Sequence, residues 1–256
     1  MIANYHTHTP RCRHAVGDEE EYVRCALDTG MKILGFSDHT LYPFPEGYYS
    51  SMRMFPEQLE SYIQAVNGLK TQYADQIQIH LGLEVEYYPA YFPELMRRLR
   101  DTDMEYMLLG QHWIGNEQNE PYSGHPTDDE SCLRRYCAQV RDAMQTGLFT
   151  YLAHPDLIKY TGDDRIYTSH MRALCQEANS CGIPLEINLL GVQAARHYPR
   201  PRFWEIAAEE GCQVILGCDA HAPEALQDTQ SEEKALQIVK QLHLNLVQTV
   251  SLRSIR

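Results

Sequence analysis

Histidines and acidic residues recur along this sequence in short clusters whose side chains could hold metal ions. His6 and His8 form one pair with a single residue between them, and Asp219 and His221 form another. On an extended backbone, side chains two residues apart point the same way, so each pair presents two ligands to one side. Imidazole and carboxylate groups suit zinc, manganese and iron. Two such ions close together can hold a phosphate and activate water, which makes phosphate ester hydrolysis the chemistry to consider.

Four further residues share a position at or just after the end of an apolar run: His39, Glu84, His112 and His154. A single histidine in such a place is usually a polar loop residue. The repetition along successive apolar runs is hard to explain in that way, and it predicts a metal site.

Short apolar runs alternate with helical patterns over most of the chain. Strands are predicted at 2–5, 32–37, 77–85, 106–111, 149–153, 183–188 and 214–217. Helices are predicted at 18–30, 56–73, 94–100, 127–146, 169–181, 202–210 and 231–241. The first helix shows the clearest boundaries, with a capping box from Asp18 to Glu21 and a stop at Gly30. This alternation predicts a parallel α/β sheet, and about seven units favour a barrel. The carboxyl ends of barrel strands gather on one face, so ligands scattered along the chain would converge there.

Length, charge and composition narrow the classes of protein further. The 256 residues contain no linker rich in Gly, Ser or Pro, which predicts a single domain over 1–256. The formal charge of −13 disfavours nucleic acid as a partner. No apolar run approaches the roughly 18 residues of a membrane span, and the first residues do not resemble a signal peptide. The eight cysteines include no Cys-x-x-Cys pair, and we expect a cytoplasmic protein with no membrane partner.

The ordered motifs resemble those of the PHP (polymerase and histidinol phosphatase) family. They are His-Thr-His-Thr at 6–9, Cys-Arg-His-Ala at 12–15, Ser-Asp-His at 37–39, Leu-Gly-Leu-Glu at 81–84, Gly-Gln-His at 110–112, Ala-His-Pro-Asp at 153–156 and Gly-Cys-Asp-Ala-His at 217–221. The resemblance implies a distorted (β/α)7 TIM-like barrel with two to three divalent ions (Zn, Mn or Fe) at the carboxyl ends of its strands. The nine implied ligands are His6, His8, His14, His39, Glu84, His112, His154, Asp219 and His221.

The resemblance also implies how these ligands divide among three ions. His6, His8, Glu84 and Asp219 would hold the first, Glu84, His112 and His154 the second, and His14, His39 and His221 the third.

The family resemblance implies an enzyme that hydrolyses small phosphomonoesters. The Cys-x-His-Ala segment and Glu-Ile-Asn-x-x-Gly at 186–191 resemble the histidinol-phosphatase branch, so L-histidinol phosphate, an intermediate of histidine biosynthesis, is the first expectation. Three alternatives stay open: a phosphoesterase for nucleotides or oligonucleotides, a phosphatase for protein phosphotyrosine, and a metal-binding module without catalysis. The oligomeric state is not predicted.

Individual roles follow from the same resemblance. Arg196 and Lys159 are the best matches to basic residues that bind the substrate phosphate, with His112 beside them, and Arg165 is a weaker match. Asp38, His39 and His221 are the candidate catalytic residues, where Asp38 either orients a ligand or protonates the leaving group.

Several other residues keep two interpretations. Glu86 either supports a ligand or lies at the rim of the site, and His125 and His197 either contact substrate or belong to polar loops. An aromatic cluster either walls a small-molecule pocket or packs within its loop: Tyr42, Phe44, Tyr48, Tyr49 and Phe55.

Overall fold

The protein is built around one parallel sheet of eight strands, seen in a computed structural model that describes residues 1–45 and 47–255. The strands are β1 (Ala3–Asn4), β2 (Ile33–His39), β3 (Gln78–Val85), β4 (Tyr106–Leu109), β5 (Phe149–Leu152), β6 (Leu185–Asn188), β7 (Gln213–Gly217) and β8 (Asn245–Leu246). Each strand pairs in parallel with the next one along the chain. Connections of this kind need a crossover between successive strands, which the helices supply.

Helices lie between all successive strands. They are α1 (Glu19–Asp28), α2 (Leu59–Gln72), α3 (Phe92–Leu99), α4 (Glu130–Gln145), α5 (Asp164–Cys181), α6 (Leu189–Gln193), α7 (Pro201–Glu209) and α8 (Thr229–Leu242). Within the two described ranges, no helix combines the length and apolar character needed to cross a lipid bilayer.

The first and seventh strands meet and curl the sheet into a barrel. Just beyond β1 and β7, Thr7 pairs in parallel with Ala220. The His8 N–H donates to the Ala220 carbonyl at 2.9 Å, and the Ala220 N–H donates to the His6 carbonyl at 3.1 Å. The Asn4 side chain strengthens this junction, because its carbonyl oxygen accepts from the Cys218 N–H at 2.8 Å. The two ends of the ligand series are thereby brought side by side.

The predicted (β/α)7 barrel is confirmed, with one addition. The apolar tail supplies an eighth strand, β8, which pairs with the amino end of β7 while the carboxyl end of β7 turns to β1. The sequence-based prediction of seven strands missed it because a two-residue strand has no measurable alternation.

Two helices also differ from their predicted bounds. Helix α5 begins at Asp164 instead of residue 169, because the Asp163 side chain caps it by accepting the Arg165 and Ile166 N–H groups. The short α6 was not predicted, and the Asn188 side chain starts it by accepting the Gly191 N–H. The segment 56–58, predicted as part of α2, forms a 3-10 turn before that helix.

Alternation along the strands separates the inside of the barrel from its helix-covered outside. On β4, Tyr106 and Leu108 pack in a small interior cluster, while Met107 and Leu109 belong to the large core under the helices. The Tyr106 hydroxyl oxygen lies 2.7 Å from the Tyr5 carbonyl and 3.0 Å from the Phe36 carbonyl, so its single hydrogen is shared between them and links β4 to β2 and to the residue after β1. This packed lower layer supports the polar layer above it.

Gly82 on β3 leaves the space that the Tyr106 ring occupies, and a β-carbon there would overlap the ring. We therefore expect Gly82→Ala to lower the free energy of unfolding by about 2 kcal/mol or more, as overpacking of a closed core does. The matched change is Gly68→Ala on the exposed face of α2, where a β-carbon would meet no other atom within 4 Å. The free energy of unfolding of that variant should rise by about 0.5–1 kcal/mol. Urea unfolding of both variants tests the pair, and equal effects would contradict this account of the interior.

Candidate metal centre

Glu84 lies at the middle of the polar layer at the carboxyl ends of the strands. On β3, Leu81, Leu83 and Val85 pack in the outer core, so strand alternation turns Glu84 to the inside. Its carboxylate is buried, with 1% of the side chain exposed.

Five imidazoles surround the two oxygens of that carboxylate. Oε1 lies 2.8 Å from His154 Nε2, 3.5 Å from His6 Nε2 and 3.6 Å from His112 Nε2. Oε2 lies 3.0 Å from His39 Nδ1 and 3.7 Å from His8 Nε2. Each oxygen therefore faces its own group of imidazoles, which is the arrangement by which one carboxylate can bridge two ions.

Asp219 closes the side of the cluster where β1 and β7 meet. Its Oδ1 lies 3.1 Å from His8 Nε2 and 3.5 Å from His6 Nε2. Asp219 has a φ of 49° and His154 a φ of 30°, a left-handed backbone that residues other than glycine rarely adopt. Strain of this kind is found where surrounding structure holds a functional side chain in place.

A third group of imidazoles lies nearer the opening of the site. Ligand atoms of His14, His39 and His221 come within 4.8 Å of one another. The Nε2 atoms of His14 and His221 are 2.9 Å apart. Two imidazole nitrogens facing each other at this distance suit a shared cation, since each offers a lone pair when neutral.

Burial and neighbouring charges shift the pKa values of the clustered groups in different directions. Burial opposes ionisation of Glu84 and Asp219, but the surrounding histidines hold the pKa of both carboxyls well below the usual range. Burial alone would lower the pKa of His8, and the carboxylates of Asp219 and Asp38 raise it to about 9. Burial and the neighbouring His8 lower the pKa of His221 to about 3, so this imidazole is neutral near pH 7.

Several buried nitrogen and oxygen atoms that could bind a metal have no hydrogen-bond partner in the described chain, among them His6 Nε2, His8 Nε2 and Glu84 Oε2. Buried polar atoms in native proteins are nearly always paired, so orphaned ligand atoms facing a common centre require an explanation. Divalent ions supply one, because imidazole nitrogen and carboxylate oxygen are their ordinary ligands. The donor set therefore fits the predicted cofactor.

Buried carboxylates behind the cluster orient the imidazoles from the far side. His6 Nδ1 donates to Glu186 Oε2 at 2.8 Å, and His112 Nδ1 donates to Glu86 Oε1 at 2.8 Å. In both rings the proton is held on Nδ1, which leaves the Nε2 lone pair free for a metal. Of the two interpretations of Glu86, the structure favours support of a ligand.

We expect Glu186→Gln to weaken metal binding by about 10- to 100-fold, the usual effect of losing a carboxylate that supports a ligating histidine. The change keeps the size of the side chain and removes the charge that polarises the His6 imidazole. Competition with a fluorescent zinc chelator measures the affinity. Glu177→Gln is the control, because Glu177 pairs with Arg141 on the helical surface. Equal affinities of the two variants would show that Glu186 does not act on His6.

An open cavity of about 540 Å³ leads from the surface to the cluster. Its walls combine ligands with aromatic and aliphatic side chains and one arginine: His14, His39, Ser51, Met52, His112, Trp113, Tyr122, His154, Leu190, Arg196, Tyr198, Asp219 and His221. The volume suits a small molecule. Arg196 Nη1 donates to the Tyr198 hydroxyl at 2.7 Å, which holds the guanidinium beside the opening.

The other predicted contact residues lie outside this lining in the described part of the chain. Lys159 is half-buried, and its backbone N–H donates to the Ser123 carbonyl at 2.9 Å. His197 Nε2 is bonded to the Leu157 carbonyl at 2.7 Å, which fits its interpretation as a loop residue. His125 is an exposed loop residue, and Arg165 lies on the outer surface at the start of α5.

Asp38 also lies away from the cavity, for a reason of strand geometry. His39 faces inward from β2, and alternation turns Asp38 to the outer side. Its carboxylate accepts from the Thr9 hydroxyl and from the His39 N–H, the latter at 2.8 Å, and its Oδ1 is 3.6 Å from His8 Nδ1. Asp38 is not among the residues that line the cavity, and its contacts suit the orientation of His8 and His39.

The predicted aromatic cluster lines a second cavity of about 330 Å³, separate from the one at the metal cluster. The aromatic walls of the metal cavity are instead Trp113, Tyr122 and Tyr198, which the sequence-based prediction missed. Glu186 was also missed as a functional residue. Glu186 lies in β6, two residues before its last residue, Asn188. An acidic residue near the carboxyl end of a strand was the same signal that pointed to Glu84.

The structure is that of a parallel α/β barrel with a buried cluster of imidazoles and carboxylates, able to hold divalent ions, at the carboxyl ends of its strands. Residues 4–189 match the family model described as PHP domain. The chain is 34% identical over 231 residues to a Deinococcus radiodurans protein named "Probable histidinol-phosphatase", covering 87% of each chain. The chain therefore belongs to the PHP family.

Two more comparisons agree. The chain is 31% identical over 249 residues to the histidinol-phosphatase of Bacillus subtilis, covering 84% of this chain and 92% of the relative. The crystal structure of histidinol phosphate phosphatase from Lactococcus lactis, complexed with zinc, L-histidinol and phosphate, has a TM-score of 0.75 at 19% identity. That likeness covers 99% of this chain and 97% of the other, and it shows the shared fold.

Proposed function

We propose that this protein is a metal-dependent phosphatase that hydrolyses L-histidinol phosphate to L-histidinol and phosphate, and so acts in histidine biosynthesis. The observation that carries the proposal is the cluster around Glu84, which opens into a cavity of small-molecule size with one arginine at its wall. The named relatives support the substrate, because they match nearly the whole chain.

The proposed ligands are the nine side chains of the cluster, divided among two to three ions of zinc, manganese or iron. When bound, these ions supply Lewis-acid polarisation of the phosphoryl oxygens and a nucleophile derived from water at neutral pH. Glu84 would contribute its two oxygens to two neighbouring groups of ligands, and His14, His39 and His221 would form the group nearest the opening. In this proposal His39 and His221 act as ligands, and Asp38 as the residue that orients His8 and His39.

The cavity side chains bind and orient the substrate. Arg196, held by Tyr198, offers a planar pair of N–H donors to the phosphate. Trp113 and Tyr122 are in edge contact, with centroids 5.6 Å apart, and present flat apolar surface to the imidazole ring of the substrate. Among the described lining residues Arg196 is the only lysine or arginine, which disfavours a polymeric nucleic acid substrate.

A rate comparison tests the proposal. The purified protein, supplied with zinc, manganese or iron, would be assayed on histidinol phosphate, nucleoside monophosphates, a phosphotyrosine peptide and single-stranded DNA. The value of kcat/KM should be highest for histidinol phosphate. A higher value for another substrate would show that the protein is a phosphatase or phosphoesterase with a different substrate. No release of phosphate from any of the four would reject the proposal that it is a phosphatase.

Arg196→Met should raise KM and weaken inhibition by inorganic phosphate, each by about 10- to 100-fold, because a charge-assisted hydrogen bond is lost. Lys159→Met should change both values by less than about 2-fold, since the side chain lies outside the cavity lining in the described chain. Steady-state kinetics with phosphate as inhibitor compare the two variants. A larger effect of Lys159→Met than of Arg196→Met would show that Lys159, and not Arg196, binds the substrate phosphate.

A further inference from the structure

Arg53 is a buried arginine at the back of the site, with only 2% of the residue exposed. Its guanidinium forms a bidentate ion pair with the Glu86 carboxylate, here called the fork: Nη1 donates to Oε2 at 2.7 Å and Nη2 donates to Oε1 at 2.7 Å. On its other edge, Nε donates to Glu117 Oε2 at 2.5 Å. Weaker bonds reach the Thr40 carbonyl at 3.4 Å and the Tyr88 hydroxyl at 3.3 Å.

The two carboxylates that Arg53 holds belong to different parts of the site. Glu86 follows β3 and accepts from His112 Nδ1, so the fork fixes the acceptor that orients a proposed ligand. Glu117 lies in the segment 113–129 after β4, and its Oε1 accepts from the Tyr48 hydroxyl at 3.0 Å. One side chain thus joins three connecting segments of the barrel.

The same segments form the wall of the metal cavity. Ser51 and Met52 immediately precede Arg53, and Trp113 is four residues before Glu117; all three line that cavity. The Arg53 guanidinium carbon is also 5.8 Å from the centre of the Trp113 ring. Movement of Arg53 would therefore disturb both the ligand His112 and the wall that contacts substrate.

A buried charge is a costly way to pack an interior, since apolar side chains of the same size often stabilise as well or better. A planar guanidinium, however, defines the positions of two carboxylates more tightly than an ammonium or an apolar group can. The fork on Glu86 and the single bond to Glu117 use the two edges of that plane. The geometry favours a role in positioning over a role in packing alone.

We propose that Arg53 is a positioning residue with two functions: through Glu86 it holds the His112 imidazole in its ligating orientation, and through Glu117 it holds the cavity wall at the spacing that the substrate needs. The inference deepens the proposed phosphatase function and rests on it for its kinetic part. Its metal-binding part is independent of the substrate.

Three variants separate the two functions. Glu86→Gln should weaken zinc binding by about 10- to 100-fold and lower kcat, because His112 loses its charged acceptor. Glu117→Gln should raise KM by at least about 5-fold, while zinc affinity and kcat stay within about 2-fold, as expected for loss of uniform substrate binding. Arg53→Lys keeps the charge but loses the fork, and it should show both defects together. Arg97→Lys is the matched control, because Arg97 makes a similar fork on Glu94 at the exposed surface of α3.

Zinc affinity is measured by chelator competition, and kcat and KM with both histidinol phosphate and p-nitrophenyl phosphate. Circular dichroism and urea unfolding show whether each variant folds. Arg53→Lys with normal zinc affinity, kcat and KM but reduced stability would show a purely structural role and overturn the proposal. If Arg53→Lys fails to fold, Glu86→Gln and Glu117→Gln decide, and identical defects in those two would overturn it. A wild-type protein that hydrolyses neither ester would reject the phosphatase, while the zinc measurements would still test the link to His112.

Discussion

Glu84→Gln is expected to reduce phosphatase activity by about 10³-fold and to lower the bound metal by at least one ion per chain. The loss of one preorganised electrostatic group in an active site already costs about 10²–10³ in rate. Here the carboxylate faces five imidazoles at once, with three near Oε1 and two near Oε2. Glutamine keeps the shape but carries no charge and only one oxygen, so it cannot bridge two ions in the same way.

The measurement combines steady-state kinetics with elemental analysis of the purified variant. Glu94→Gln is the control, since Glu94 is an exposed residue of α3 that pairs with Arg97 and Arg98. Circular dichroism of Glu84→Gln should match that of the wild type, because the lower layer around Tyr106 does not depend on Glu84. Activity within about 10-fold of the wild type would remove Glu84 from its proposed place at the centre of the reaction.

Removal of metal is expected to abolish activity and to lower the melting temperature at the same time. Ligands that bind only the folded state stabilise it by about 3–4 kcal/mol at 100 to 1,000 times the dissociation constant. The buried atoms of His6, His8 and Glu84 that have no hydrogen-bond partner give a physical reason for a large effect, because removal of the ions would leave them unpaired in the interior.

Dialysis against a chelator, followed by differential scanning calorimetry and activity assays, measures both effects. Dialysis for the same time against the buffer without chelator is the control. Adding zinc, manganese or iron should restore activity and melting temperature together, and the three ions can be ranked by the activity they restore. Full activity at less than about 0.1 ion per chain would contradict the metal-dependent proposal.

The extent to which the sequence predicted the site differs between strands and loops. Predicting that His6, Glu84 and Asp219 converge required only that strands alternate with helices, because parallel strands of a barrel end on one face. Alternation within the strands also separates neighbouring residues. Asp38 is next to His39 in sequence, so its side chain lies on the opposite side of β2, and its two proposed roles, orientation of a ligand or protonation of a leaving group, stay predictions.

Loop residues could not be placed by such patterns. Arg53 and Glu117 belong to irregular segments with no period, and their contact depends on how three connections fold over one another. Lys159 and Arg196 were both chosen as matches to the basic residues of the family, because one lies five residues after His154 and the other follows the turn at Gly191. Only the path of the chain shows that one lines the cavity and the other does not. The prediction of a single domain over residues 1–256 stays a prediction.

The junction between β1 and β7 has a consequence for how the protein is made. Asn4 and Cys218, which bond across it, are 214 residues apart in sequence. During synthesis the amino-terminal ligands leave the ribosome early, yet the Asp219 and His221 that complete their groups emerge only after β7. Contacts this distant form late and slowly in folding. In the proposed metal-dependent enzyme, a nascent chain therefore carries histidines without an assembled site, and tight binding of the ions is expected only after most of the polypeptide has left the ribosome.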